Sequence, residues 1–158
     1  TPGGKEIGRH HGLMYYTLGQ RQGLGIGGRS DTGDEPWYVV DKDIPGNALI
    51  VDQGDSPLLL SDELTAGAAS WIGREPDNLD AGLRCNAKIR YRQSDQGCTV
   101  RRALDDRLVV RFDEPQRAAA PGQFIVFYQG DRCLGGAVIE VLGKPETAAR
   151  DVAEPAIS

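Results

Sequence analysis

No run of apolar residues in this 158-residue chain approaches the length of a membrane span, and no secretory leader opens it. Both absences point to a soluble, cytoplasmic protein. Cysteine is scarce: Cys85, Cys98 and Cys133 form no CxxC pair and have no histidine nearby, so the usual zinc spacing is missing. An odd number of thiols without a leader fits a reducing compartment. Histidine is limited to the neighbours His10 and His11, which in extended chain point to opposite sides, so no metal site is expected. The first residue is Thr1 rather than Met, and the chain reads as a piece cut from a longer polypeptide.

The formal charge of −5 argues against a broadly basic nucleic-acid binder, but the average hides a gradient. Between Arg84 and Arg117 stand nine Lys/Arg against five Asp/Glu, while the remainder carries nine against eighteen. Such asymmetry can place one basic face on an acidic protein.

The patterning is mainly β. "WYVVD" and "ALIVDQG" flank "KDIPGN", a predicted hairpin between residues 37 and 53. "LTAGAASWIG", 64 to 73, suits strand or helix. Five further strand-like runs follow at 83–92, 98–104, 107–113, 123–129 and 132–142, separated by turn chemistry. That many short strands escape exposed edges best by closing into a small barrel. The expected organisation is a β-rich domain over 1–74, a polar linker over 75–82, a barrel over 83–142 and a flexible tail over 143–158.

Several stretches suggest chemistry. "GLGIGG" resembles a dinucleotide loop, yet "RSDTGDEP" follows where a helix is required, so backbone permissiveness is the expected role of its glycines. The three cysteines lie in or beside predicted strands and read as small buried hydrophobes. Asp105 with Asp106, and Asp113 with Glu114, fall at predicted turns and read as solvated acids. "KIRYRQ" is different. On a strand, Lys88, Arg90 and Arg92 share one face beside Tyr91, and charge with stacking is what a sugar-phosphate backbone needs. The residues alone leave this open against a solvated strand face paired with acids. Gln123, after a Pro-Gly turn, is placed to present an amide.

Taken together, "GRHHGLMYYTLGQRQGLGIGG", "PWYVVDKDIPGNALIVDQG", "CNAKIRYRQSDQGCTV" and "FDEPQRAAAPGQFIVFYQGDRCLGGAVIE" closely resemble the C-terminal half of the bacterial tRNA-specific 2-thiouridylases, in the same order from Gly4 to Leu142. The resemblance implies a small central β-rich domain followed by a C-terminal barrel like that of translation elongation factors. It also implies an N-terminal ATP-pyrophosphatase domain, absent here: there is no "SGGxDS" loop and neither catalytic cysteine context. No catalytic residue and no cofactor is therefore expected in these residues; ATP belongs to the full-length enzyme.

The implied reaction is thiolation of the wobble uridine of tRNAs for Lys, Glu and Gln, with a cysteine persulfide as sulfur source. Its implied partners are the tRNA, the missing catalytic domain, and a sulfur-relay protein or cysteine desulfurase. By resemblance Arg90, Tyr91 and Gln123 touch tRNA; Lys88 and Arg92 are added from strand alternation. The glycine-rich stretch becomes a docking element in which His10, Tyr15, Gln20 and Arg21 order a neighbouring loop. The alternative expectation is an autonomous RNA-binding β module without catalysis.

Overall fold

The computed structural model describes residues 1–27 and 33–143, which form two compact units divided between Leu60 and Ser61. In the first unit, β1 (Trp37–Asp43) and β2 (Ala48–Gln53) pair antiparallel as the predicted hairpin, with a bulge between Val39 and Asp41. The turn closes because Asp43 Oδ1 accepts the Gly46 N–H at 3.0 Å and Asn47 takes a left-handed backbone. Tyr16, Ile26, Val39 and Val51 are buried together against the partly covered Leu18, Leu24 and Trp37. The loop before β1 reaches this small core by repeated reversals: Gly12, Gly19, Gly23 and Gly25 all have positive φ, as the permissive reading of the glycines required.

The second unit is a closed barrel. It is built from β3 (Leu60–Ala66), β5 (Leu83–Lys88), β6 (Gln96–Arg102), β7 (Leu108–Arg117), β8 (Phe124–Gln129) and β9 (Arg132–Gly143). Neighbours run β3-β7-β6-β5-β8-β9, and β9 returns to β3 through the pairs Glu63 with Gly143 to Ala66 with Ile139. Closure removes the edges that a flat sheet of this size would expose. The earlier part of β9 pairs instead with the two-residue strand β4 (Ser70–Trp71) at Gly135 and Gly136. Alternate residues point inward, so Leu83, Cys85 and Ala87 of β5 meet Cys98 and Val100 of β6, Val110 and Phe112 of β7, and Ile125 and Phe127 of β8 in one core.

Four expectations change. The ambiguous 64–73 run is strand, completing β3 and forming β4, and the second unit begins at Ser61 rather than after a linker at 75–82. That polar stretch packs onto the barrel: Leu79 is buried in the core, its carbonyl accepts the Arg102 N–H, and the Arg102 guanidinium pairs with Glu75, Asp80 and Asp106. The 83–92 run stops as strand at Lys88, because the Ile89 N–H donates to the Gln93 side chain at 2.9 Å instead of to a neighbouring strand. Asp113 and Glu114 lie within β7, not at a turn, and Asp113 makes a two-point ion pair with Arg84 of β5 across Gly97. Of the expected tail, Gly143 ends β9 and residues 144–158 lie outside the described residues.

Candidate nucleic-acid interface

The barrel ladder brings the predicted contact residues to one rim. Lys88, the last residue of β5, pairs with Val126 of β8 in an antiparallel register, so the chain leaving β5 and the chain entering β8 at Gln123 share an end of the barrel. β7 ends at Arg117 on the same side, as the Arg90 guanidinium shows by donating to the Arg117 carbonyl. Lys88, Arg90, Tyr91, Arg92 and Gln123 are thus neighbours in the fold. Alternation along one strand is not the reason. Residues 89–92 form a bend and turn, so Arg90 and Arg92 do not continue a strand face with Lys88.

Their electrostatic states differ. Lys88 is one-third exposed, lies 5.4 Å above the Tyr128 ring and is paired with Asp95 at 3.2 Å, so much of its charge is already answered. Arg90 and Arg92 are exposed and neither has an ion pair among the described residues. Tyr91 at the loop tip is 96% exposed, with its ring presented to solvent. Gln123 is half-buried: its Oε1 accepts the Ala120 N–H at 3.0 Å, closing the turn before β8, and its amide NH₂ makes no hydrogen bond among the described residues. That amide remains available as a donor.

A chain of glutamines holds the loop from below. The buried Gln116 of β7 accepts from Gln93 Nε2 at 2.7 Å and donates to Gln96 Oε1 and to the Glu114 carbonyl, each at 3.0 Å. Gln93 in turn takes the Ile89 N–H. Both ends of the 89–95 loop are therefore tied to one buried amide, which leaves the residues between them outward. Phe124, next to Gln123 and opposite Val138 on β9, is 69% exposed. Sequence reading missed both features. Alternation from the buried Ile125 would have turned Phe124 outward, whereas the glutamine chain has no sequence signature because its members are distant in sequence.

The histidine and glycine stretch lies in the first unit. His10 is tied at both ring nitrogens, with Nε2 donating to the Asn47 carbonyl at 2.8 Å and Nδ1 accepting the Gly12 N–H at 3.1 Å. Gln20 spends its side chain on Thr17 and Gln22 within its own loop, whereas Tyr15 and Arg21 are exposed. Beside them a groove of about 550 Å³ is lined by Glu6, Arg9, His10, Ile26, Leu49 and Val51. Among the described residues no group of three metal-ligating side chains occurs, and no helix is long and apolar enough to cross a membrane.

Two family models match. Residues 61–139 match the aminomethyltransferase beta-barrel domain, and residues 1–53 match the tRNA methyl transferase PRC-barrel domain. Among curated proteins, the chain is 58% identical over 138 residues to the tRNA-specific 2-thiouridylase MnmA of Sodalis glossinidius, covering 87% of this chain and 37% of that protein. It is 58% identical over 142 residues to its counterpart in Pseudomonas fluorescens, and 57% identical over 145 residues to that of Methylococcus capsulatus. These two matches cover 89% of this chain and 37% and 38% of those proteins. The chain therefore spans a little over a third of the length of these relatives.

Proposed function

The chain belongs to the tRNA-specific 2-thiouridylase family, and from that membership we propose that it is the tRNA-holding part of an enzyme that puts sulfur on the wobble uridine of tRNAs for Lys, Glu and Gln. The observation that carries this reading is the rim of the barrel, where two arginines without acidic partners flank an almost fully exposed tyrosine. Arg90 and Arg92 meet phosphates, Tyr91 offers a ring face to a base or ribose, and the Gln123 amide donates to an RNA oxygen. Phe124 extends the aromatic surface along β8. Lys88 contributes less, because Asp95 already neutralises it.

Under this proposal adenylation of the uridine by ATP and sulfur transfer from a cysteine persulfide are the work of a catalytic domain outside these residues. The glycine-rich stretch fits that division: Gly23 and Gly25 are turn residues, and the next regular element described after them is a strand, β1, not the helix that a phosphate loop opens. Sulfur arrives from a relay protein or cysteine desulfurase in the cytoplasm. The present residues orient the RNA by its backbone.

The test is a fluorescence-anisotropy titration of labelled tRNA for Glu at two salt concentrations. The protein is compared with an Arg90→Ala/Tyr91→Ala variant and with Phe124→Ala. Salt-sensitive binding is expected, since each neutralised phosphate releases counterions. The double variant is expected to weaken it by about tenfold or more, and Phe124→Ala by roughly fivefold, the lower end of what one stacked base contributes. Absence of binding at low salt, or equal affinity of the protein and the double variant, would overturn the proposal.

A further inference from the structure

Two buried thiols stand apart from the rim and take no part in the reading above. Cys85 on β5 and Cys98 on β6 are direct cross-strand partners, both face the core, and their sulfurs lie 3.8 Å apart. Opposed residues of an antiparallel pair have Cα atoms about 4.5 to 5.5 Å apart. That separation falls inside the span of a disulfide, roughly 4.4 to 6.8 Å. Bonding therefore requires the side chains to turn toward each other while the strands stay in register. We propose that Cys85 and Cys98 are a redox-active pair, converted by hydrogen peroxide into a disulfide across the barrel wall.

The surroundings assign the roles. Its hydrogen-bonding contact with Cys98 holds the Cys85 sulfur below the ordinary thiol value, and the neighbouring Arg84 guanidinium acts in the same direction against the opposing effect of burial. Cys98 is pushed well above that value by the same contact and by its own burial. Cys85 is also the less enclosed, at 7% exposure against 0%. The Cys85 thiolate accordingly attacks a peroxide oxygen; the O–O bond breaks, an S–O bond forms, and the departing hydroxide takes up a proton as water. The Cys98 sulfur then displaces the second oxygen from the Cys85 sulfenic acid, and the Cys98 proton leaves with it as a second water. Two thiols are oxidised, one peroxide is reduced, and the atoms balance.

Cys133 lies on β9, opposite Tyr128 rather than another cysteine, and stays a thiol. The cross-link would join β5 and β6 at the base of the hairpin whose loop carries Arg90 to Arg92. It would fix that hairpin without touching the rim.

Treatment of the whole chain with hydrogen peroxide, followed by alkylation and non-reducing peptide mapping, tests this. The expected product has lost two hydrogens, yields a linked Cys85 and Cys98 peptide, retains one alkylatable thiol of the original three, and reverts with dithiothreitol. Cys133→Ala is expected to form the same cross-link. In Cys98→Ala the reaction is expected to stop at a Cys85 sulfenic acid that dimedone traps. Three alkylatable thiols after exposure to excess peroxide, oxidation confined to Cys133, or Cys85 sulfinic acid without a cross-link would each overturn the proposal.

Discussion

Replacement of Gln116 by Leu separates the support of the rim from its surface. Gln116 is 3% exposed and makes three side-chain hydrogen bonds: one accepted from Gln93 and two donated, to Gln96 and to the Glu114 carbonyl. Leucine fills a similar volume but removes all three. A hydrogen bond contributes about 0.5 to 1.5 kcal/mol net, so the two glutamine links alone represent roughly 1 to 3 kcal/mol. Gln93 and Gln96 are only partly covered and can turn to water, which keeps the loss toward the lower part of that range; burying the leucine offsets a further fraction. The expected outcome is a barrel destabilised by about 1 to 2 kcal/mol in urea unfolding, followed by the fluorescence of Trp71, which packs on Phe127 in the core. Amide exchange at residues 89–95 is expected to accelerate more than at the β6–β7 ladder, because the loop loses its tether while the ladder keeps its backbone bonds. Unchanged stability together with unchanged exchange in the loop would refute the view that one buried amide holds the rim in shape.

Two further outcomes follow from the packing and the ion pairs. Gly135→Ala is expected to detach β4 and cost more than about 2 kcal/mol, since the glycine has φ +153° and an added methyl would overlap the Ser70 carbonyl and lie 2.9 Å from the Trp71 Cα; wild-type thermal stability in this variant would contradict the close strand approach. Asp113 is held below the ordinary aspartate value, first by its hydrogen bonds from Arg84 and then by the attraction of that charge. Its stabilisation is thus present above the ordinary aspartate pKa and fades as pH falls through the depressed one. Asp113→Asn should therefore flatten the acid limb of a stability-against-pH curve and leave its neutral-to-alkaline limb parallel to wild type. An unaltered acid limb would show that the exposed pair carries no pH dependence.

The class of the fold was readable because its signals are local. Alternating apolar residues with turn chemistry between them mark each strand, and the hairpin at 37–53 emerged with its Asp-x-x-Gly closure intact. The errors occurred where a distant partner decides the outcome. Residues 75–82 look like a linker by composition, yet Leu79 is apolar among polar neighbours and Arg102, far along the chain, gathers two of the segment's acids, Glu75 and Asp80, together with Asp106 beyond β6. Glu114 and Gln116 look like turn residues beside Pro115, but β7 continues through them, and the buried Gln116 there meets the side-chain amides of Gln93 and Gln96.

The site was legible for a related reason, and with the wrong geometry. Charge and aromatic character concentrate in "KIRYRQ" whatever the backbone does, so the residue types mark a cationic, aromatic surface. Strand alternation would have set Lys88, Arg90 and Arg92 in a row on the barrel wall, where acids of the next strand could neutralise all three. The turn that starts at Ile89 prevents this. It leaves Lys88 on the wall with Asp95 and carries Arg90, Tyr91 and Arg92 beyond the ladder, where no carboxylate of the described residues pairs with either arginine. The break in the strand thus turns a patch that a sheet would have balanced internally into one whose arginine charge stays unanswered among the described residues, and the amide of Gln93, itself outside the charged set, makes that break.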